Sequence, residues 1–182
     1  VTYVLGLIAA GLGSLALLIS LAPYRAARLT TFLHPELDPQ GIGYHINQAL
    51  LAIGSGGLFG LGYGHSRQKF QYLPEVGGDS IFAIIGEEMG LVVSVMVVGL
   101  FVLFLWRVLK IAQGAPDVFA KYVVVGIGAW ITIQAFVNIA SMVALMPMTG
   151  VPLPFISYGG TSLAISMAAV GVVLNISKSR SR

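Results

Sequence analysis

The sequence predicts an all-α integral membrane protein: about four transmembrane helices, plus an amphipathic or partly re-entrant helix in a long loop between the first two. Three observations carry this. Hydrophobic residues make up 57% of the chain and charged residues 9%, against about 45–50% and about 25% in an ordinary globular domain. Long apolar runs recur at 1–22, 80–106, 122–146 and 159–176, and ~20 such residues cross a ~30 Å hydrocarbon core at ~1.5 Å per residue. The basic residues gather in short segments between and after these runs.

The run 1–22 is uncharged and follows neither an initiator Met nor a basic n-region. It therefore reads as a span within the C-terminal portion of a longer polytopic protein and not as a signal peptide. The loop 23–79 is far longer than an ordinary connection, and long loops tend to be functional. Inside it Ile42, Ile46, Ala49, Leu50 and Ile53 recur at helical spacing, with His45, Gln48 and Ser55 on another side. Gly54, Gly56, Gly57, Gly60, Gly62 and Gly64 then predict backbone that is not regular helix. At membrane depth such backbone needs cover from protein or a water-filled cavity, so a groove on one face is expected. In the third span Gln134, Asn138 and Ser141 form a polar stripe suited to interhelical hydrogen bonds, at ~0.6 kcal/mol each. Pro147, Pro152 and Pro154 stiffen the next connection. Gly160, Ala164 and Ala168, at spacing four in the last span, predict close helix approach.

Arg107, Lys110 and Lys121, with Lys178, Arg180 and Arg182, place the 107–121 loop and the tail in the cytoplasm. Alternation then puts 23–79 and 147–158 on the outer face, against a mild opposing signal from Arg25 and Arg28. The net charge of +3 resides mainly in these loops and the tail, so it reports topology and not nucleic-acid binding. The chain has no Cys, which excludes disulfides, thiolate metal sites and cysteine nucleophiles.

In so charge-poor a chain, ionisable groups near a membrane need a reason. Arg67, Lys69, Glu75 and Asp79 cluster before the second span, with His65 at their edge and Glu87 and Glu88 within the span. Asp79 follows Gly77-Gly78 at the start of a helix. It reads equally as an N-cap and as a ligand-facing carboxylate, and the two are compatible. Glu87 and Glu88 are expected in structural or charge-pairing roles, with a cation from the half of the protein outside this sequence, beside Gln134 and Asn138 as structural polar groups. Arg67 and Lys69 suit either interfacial snorkelling or an anionic phosphate or diphosphate head group. His34, His45 and His65 lack metal-ligand spacing and read as interfacial polar residues. The glycine stretch matches neither nucleotide-loop pattern.

Several of these residues fall into one ordered series. It runs through Asp38-Pro39, Gly43-Tyr44 with Gln48, Ala52-Ile53-Gly54-Ser55-Gly56-Gly57, Gly62 with Ser66, and Gln68-Lys69. It continues with Leu73-Pro74-Glu75, Asp79, Ile81-Phe82-Ala83 and Gly86-Glu87-Glu88. Leu153-Pro154-Phe155-Ile156-Ser157-Tyr158-Gly159-Gly160 and Leu174-Asn175-Ile176 complete it. Over almost its whole length the chain resembles the SEDS family (shape, elongation, division and sporulation) of FtsW, RodA and SpoVE, its FtsW branch most of all. The resemblance implies the C-terminal half of a fold of about ten helices in the bacterial cytoplasmic membrane. It implies a peptidoglycan glycosyltransferase that polymerises lipid II, the undecaprenyl-diphosphate-linked disaccharide pentapeptide. The implied partners are a class B penicillin-binding protein and other divisome or elongasome membrane proteins. Asp79 matches the family's catalytic aspartate. Ser66, Arg67, Gln68, Lys69, Glu75, Ser157 and Tyr158 are the candidates for holding substrate. A divalent cation, Mg or Mn, is the cofactor the chemistry would admit for the departing diphosphate. Two alternatives stay open: a lipid II flippase, which would use the same groove and intramembrane charges, and a scaffold that only recruits and activates the transpeptidase. One departure is local: many members read His-Thr-Asp-Phe where this chain has Gly77-Gly78-Asp79-Ser80. The hydrogen-bonded setting of the aspartate is therefore expected to differ.

Overall fold

A computed structural model describes residues 6, 9–11, 13–14, 23–34, 41–68 and 77–179. The chain divides into two compact units, 1–44 and 45–182. In the first, helix α1 spans Pro23–Leu33 and is closed by the His34 amide donating to Thr30 O at 2.9 Å. Pro23 occupies its first position, where a missing N–H costs nothing. The predicted span 1–22 lies largely outside the described residues.

Helix α2 covers Ile42–Gly56, α3 Ile81–Gln113, α4 Val118–Met142 and α5 Gly160–Lys178. No strand occurs among the described residues. α3, α4 and α5 are each long and apolar enough to cross a membrane, and this is an all-helical integral membrane protein. At ~1.5 Å per residue, the 33 residues of α3 reach about 50 Å, well beyond the ~30 Å core.

α3 continues past Trp106 to Gln113, further than the apolar run predicts. Lys110 lies over the Trp106 ring at 4.0 Å from its centroid, one turn along. α4 starts earlier than predicted because Asp117 caps it, its carboxylate accepting the Ala120 amide at 2.7 Å. It ends at Met142, before the left-handed Ala144 (φ 54°).

α2 also departs in detail from its predicted pattern. Ile46, Ala49 and Ala52 are buried, whereas Leu50 is exposed, so the inward stripe runs on the other side of Ala49. Gly54 and Gly56 remain helical, and the irregular glycine stretch begins at Gly57.

Val108, Ala112, Val124 and Val173 form a small apolar core joining α3, α4 and α5. Gly128 makes the α3–α4 approach close: a Cβ there would sit 2.6 Å from Val108 Cγ1. On α5 the buried positions are Ser166 and Val173. Gly160, Ala164 and Ala168 are exposed among the described residues, so this stripe does not make the α5 contact predicted for it.

Candidate functional site

The glycine stretch finds its role at a break in α3. Gly90 sits at φ 77° and ψ −175° inside an otherwise helical run, a conformation essentially reserved for glycine. The break frees the carbonyls of Glu87 and Glu88 and the amides of Leu91 and Val92 from one another. The 57–62 loop takes up all four. Leu61 N donates to Glu87 O at 2.9 Å and Gly62 N to Glu88 O at 3.0 Å. Leu91 N donates to Gly57 O at 2.9 Å and Val92 N to Leu58 O at 3.3 Å. Buried backbone groups must be paired, and here a loop replaces the helix's own ladder. The contact is intimate enough to require glycine on both sides: a Cβ on Gly60 would overlap Glu88 O, and one on Gly90 would overlap Gly60 N.

Glu87 secures the next segment. Its buried carboxylate accepts Ser66 Oγ at 2.5 Å, the Arg67 amide at 2.9 Å and, more weakly, the Gln68 amide at 3.4 Å. These donors are a hydroxyl and two backbone amides, and none of them is a cation. Glu88 is likewise buried. The Ser66 hydroxyl is committed to this bond, while the Arg67 side chain is exposed and Gln68 half-buried. Lys69 and Glu75 lie outside the described residues.

Asp79 sits in a turn, 77–80, directly before α3. The turn's backbone is pinned at three consecutive carbonyls. Gly77 O accepts the Tyr158 amide at 2.6 Å, Gly78 O accepts Ser157 Oγ at 2.5 Å, and Asp79 O accepts Asn138 Nδ2 at 2.7 Å. Ser157 Oγ also accepts the Leu153 amide at 2.7 Å. Asn138 further donates to Val151 O at 2.8 Å, and Gln134 to Pro152 O at 2.9 Å. Gln134 and Asn138 of the α4 stripe thus tie down loops, while Ser141 Oγ donates to Asn138 O of its own helix at 2.8 Å. Ser157 acts on the backbone, whereas the Tyr158 side chain is 91% exposed.

The Asp79 carboxylate does not cap α3. Ser80 occupies the N-cap position and makes no side-chain cap bond. Instead Ser80 Oγ donates to Asp79 Oδ1 at 3.3 Å and lies 2.7 Å from His45 Nε2 of α2. Asp79 Oδ2 faces Gly150, where a Cβ would lie 3.8 Å away. In sequence His45 reads as an interfacial polar residue and Ser80 has no role of its own. Their one signal is Ser80 itself, at the position of the local departure from the family pattern.

Beside this turn lies a cleft of about 490 Å³ lined by Gly77, Ile81, Ser157, Tyr158 and Gly159, among others. Phe155 and Ile156 line it and also line an apolar pocket of about 230 Å³ with Val97, Phe101 and Phe104. Phe155 holds a left-handed φ of 66°, which costs about 1–2 kcal/mol, and meets Phe104 edge-on at 6.4 Å. The cleft and the pocket share Phe155 and Ile156. The cleft, mostly apolar with Ser157 and Tyr158 in its wall, begins two residues before Asp79, whose carboxylate lies beside it and not in its lining. As for a metal, no three His, Asp or Glu side chains converge among the described residues. The described residues thus offer no ligand set for a protein-held divalent ion.

Apolar helices long enough to cross a membrane, one of them preceded by a pinned acidic turn, define a polytopic membrane protein. Residues 1–182 match the FtsW/RodA/SpoVE family model, described as cell cycle protein, and the chain belongs to that family. It is 51% identical over 174 residues to stage V sporulation protein E of Bacillus subtilis, covering 96% of this chain and 47% of the relative. It is 45% identical over 167 residues to the probable peptidoglycan glycosyltransferase FtsW of Coxiella burnetii, covering 90% and 45%. The chain thus spans about half the length of the curated relatives it matches. One of these relatives is named a stage V sporulation protein and the other FtsW, so they establish the family and not its FtsW branch. Among solved structures, one reported as "Structural coordination of polymerization and crosslinking by a peptidoglycan synthase complex" aligns with TM-score 0.72 at 30% identity, covering 95% of this chain and 49% of that one. A mutant of the Thermus thermophilus rod shape determining protein RodA aligns with TM-score 0.56 at 34% identity, covering 74% and 40%.

Proposed function

We propose that the protein to which this chain belongs polymerises lipid II into peptidoglycan glycan strands, with Asp79 as the reacting carboxylate. The observation that carries this reading is the Asp79 turn: a carboxylate on a backbone fixed at three carbonyls, next to a cleft continuous with an apolar pocket. Relatives named peptidoglycan glycosyltransferase support it.

Asp79 takes the proton of an acceptor sugar hydroxyl. The resulting oxygen attacks the anomeric carbon of the donor, and the bond from that carbon to the diphosphate oxygen breaks, with inversion. General-base assistance of this kind contributes about 10²–10⁴-fold. Arg67 and Lys69 supply positive charge for the lipid's diphosphate, and the apolar pocket receives part of its isoprenoid tail. Lipid II is polymerised outside the cell, so 23–79 faces out and the tail of the chain faces in. The neighbour described as a complex of polymerisation and crosslinking supports a class B penicillin-binding protein as partner.

The test is incubation of the purified complete protein and its transpeptidase with lipid II in liposomes. Processive glycan strands support the reading. Lipid II that only changes leaflet, or is left untouched while the transpeptidase is activated, overturns it in favour of a flippase or a scaffold.

A further inference from the structure

We propose that His45 is a positioning residue for Asp79 and acts through Ser80; the inference rests on Asp79 being the reacting carboxylate. The Ser80 hydroxyl has one proton and gives it to Asp79 Oδ1 at 3.3 Å. With that proton directed to the carboxylate, the hydroxyl accepts in its 2.7 Å contact with His45 Nε2, and we take the imidazole as the Nε2–H tautomer. The chain runs from the imidazole N–H of α2 through the hydroxyl to the carboxylate at the start of α3.

Two features separate this from incidental packing. Ser80 is fully buried at an N-cap position, where a serine hydroxyl ordinarily accepts an amide of the first turn. It forgoes that bond for the carboxylate. Moreover, the backbone bonds to Gly77, Gly78 and Asp79 come from α4 and the 153–158 loop, and they fix the main chain alone. Among the described residues the Ser80 hydroxyl is the side-chain donor to the carboxylate, and it sets the rotamer that turns Oδ2 toward Gly150. A hydroxyl polarised by an imidazole donor also strengthens its own bond to the carboxylate.

The experiment measures kcat and KM for lipid II polymerisation by the complete protein with its transpeptidase, in His45→Leu, His45→Gln, Ser80→Ala and the double variant His45→Leu/Ser80→Ala. Hydrogen bonds to charged groups set the scale. His45→Leu and Ser80→Ala should each lower kcat about tenfold with KM nearly unchanged. His45→Gln, which keeps a donor at similar reach, should stay within about threefold of wild type. The double variant should be no worse than the poorer single, because residues in one chain are not additive. Wild-type kcat in His45→Leu beside an inactive Asp79→Asn overturns the relay while leaving the polymerase reading intact. Independent, multiplying losses, or losses confined to KM, overturn it too. An active Asp79→Asn overturns both readings. His45 is only half-buried, so its two variants carry the test even if Ser80→Ala fails to assemble with the transpeptidase.

Discussion

Replacing Gly90 with Ala should release the glycine loop from α3. The native break trades two intrahelical bonds for four to the loop. Alanine can respond in two ways. If it keeps φ 77° and ψ −175°, it bears about 1–3 kcal/mol of backbone strain. Its Cβ then also sits 2.5 Å from Leu58 O, a backbone atom with little room to yield. If α3 straightens, two helical bonds return and four to the loop are lost. That is a net deficit of two, at about 1 kcal/mol each, with more added where the abandoned groups stay buried. Either route costs about 2–4 kcal/mol, and loop opening should rise roughly thirty- to several-hundredfold. Hydrogen exchange of the Leu61 and Gly62 amides, measured on the complete protein in nanodiscs, reads this directly. Gly99→Ala and Gly126→Ala are the controls, because a Cβ at either meets nothing within 4 Å; they should leave that protection unchanged. Unaltered protection in Gly90→Ala would refute the exchanged ladder.

Glu87→Leu should strand the Ser66 hydroxyl and the Arg67 and Gln68 amides, costing about 3 kcal/mol or more, whereas Glu87→Gln keeps an acceptor and should cost about 1 kcal/mol. Amide exchange at Arg67 distinguishes them, and equal protection in both variants would contradict the Glu87 anchor. For sidedness, single cysteines at Tyr63 (84% exposed) and Ser179 suit an impermeant thiol reagent on intact cells; Ser66, buried against Glu87, does not. Labelling at 63 and none at 179 is expected, and the reverse would place Asp79 on the wrong face for lipid II.

The spanning helices were legible because composition alone decides them: uninterrupted apolar runs have few other fates. α2 was legible from its spacing, although Leu50 misled, since its neighbours Ala49 and Leu51 allow either side of the helix to read as apolar. The start of α4 was legible in principle from Asp117, a capping residue just ahead of the apolar run. Gly90 was not legible. In sequence it looks like Gly99 or Gly126, and its positive φ is imposed by a loop about thirty residues earlier in the chain. His45 and Ser80 are 35 residues apart; without the fold, one is a stray histidine and the other a helix-start serine. The motif singled out Asp79 as a candidate, whereas the carbonyl bonds that hold its turn were not legible, because they depend on where α4 and the 151–158 loop come to rest.

The most direct measurement is glycan polymerisation by Asp79→Asn in the complete protein, purified with its transpeptidase and supplied with lipid II. The substitution keeps the size and the acceptor for Ser80 while removing the base, and the backbone bonds to Gly77, Gly78 and Asp79 do not involve the side chain. Normal membrane insertion and transpeptidase binding with polymer reduced at least 10²-fold is the expected result. Wild-type polymer from that variant would remove Asp79 from the chemistry.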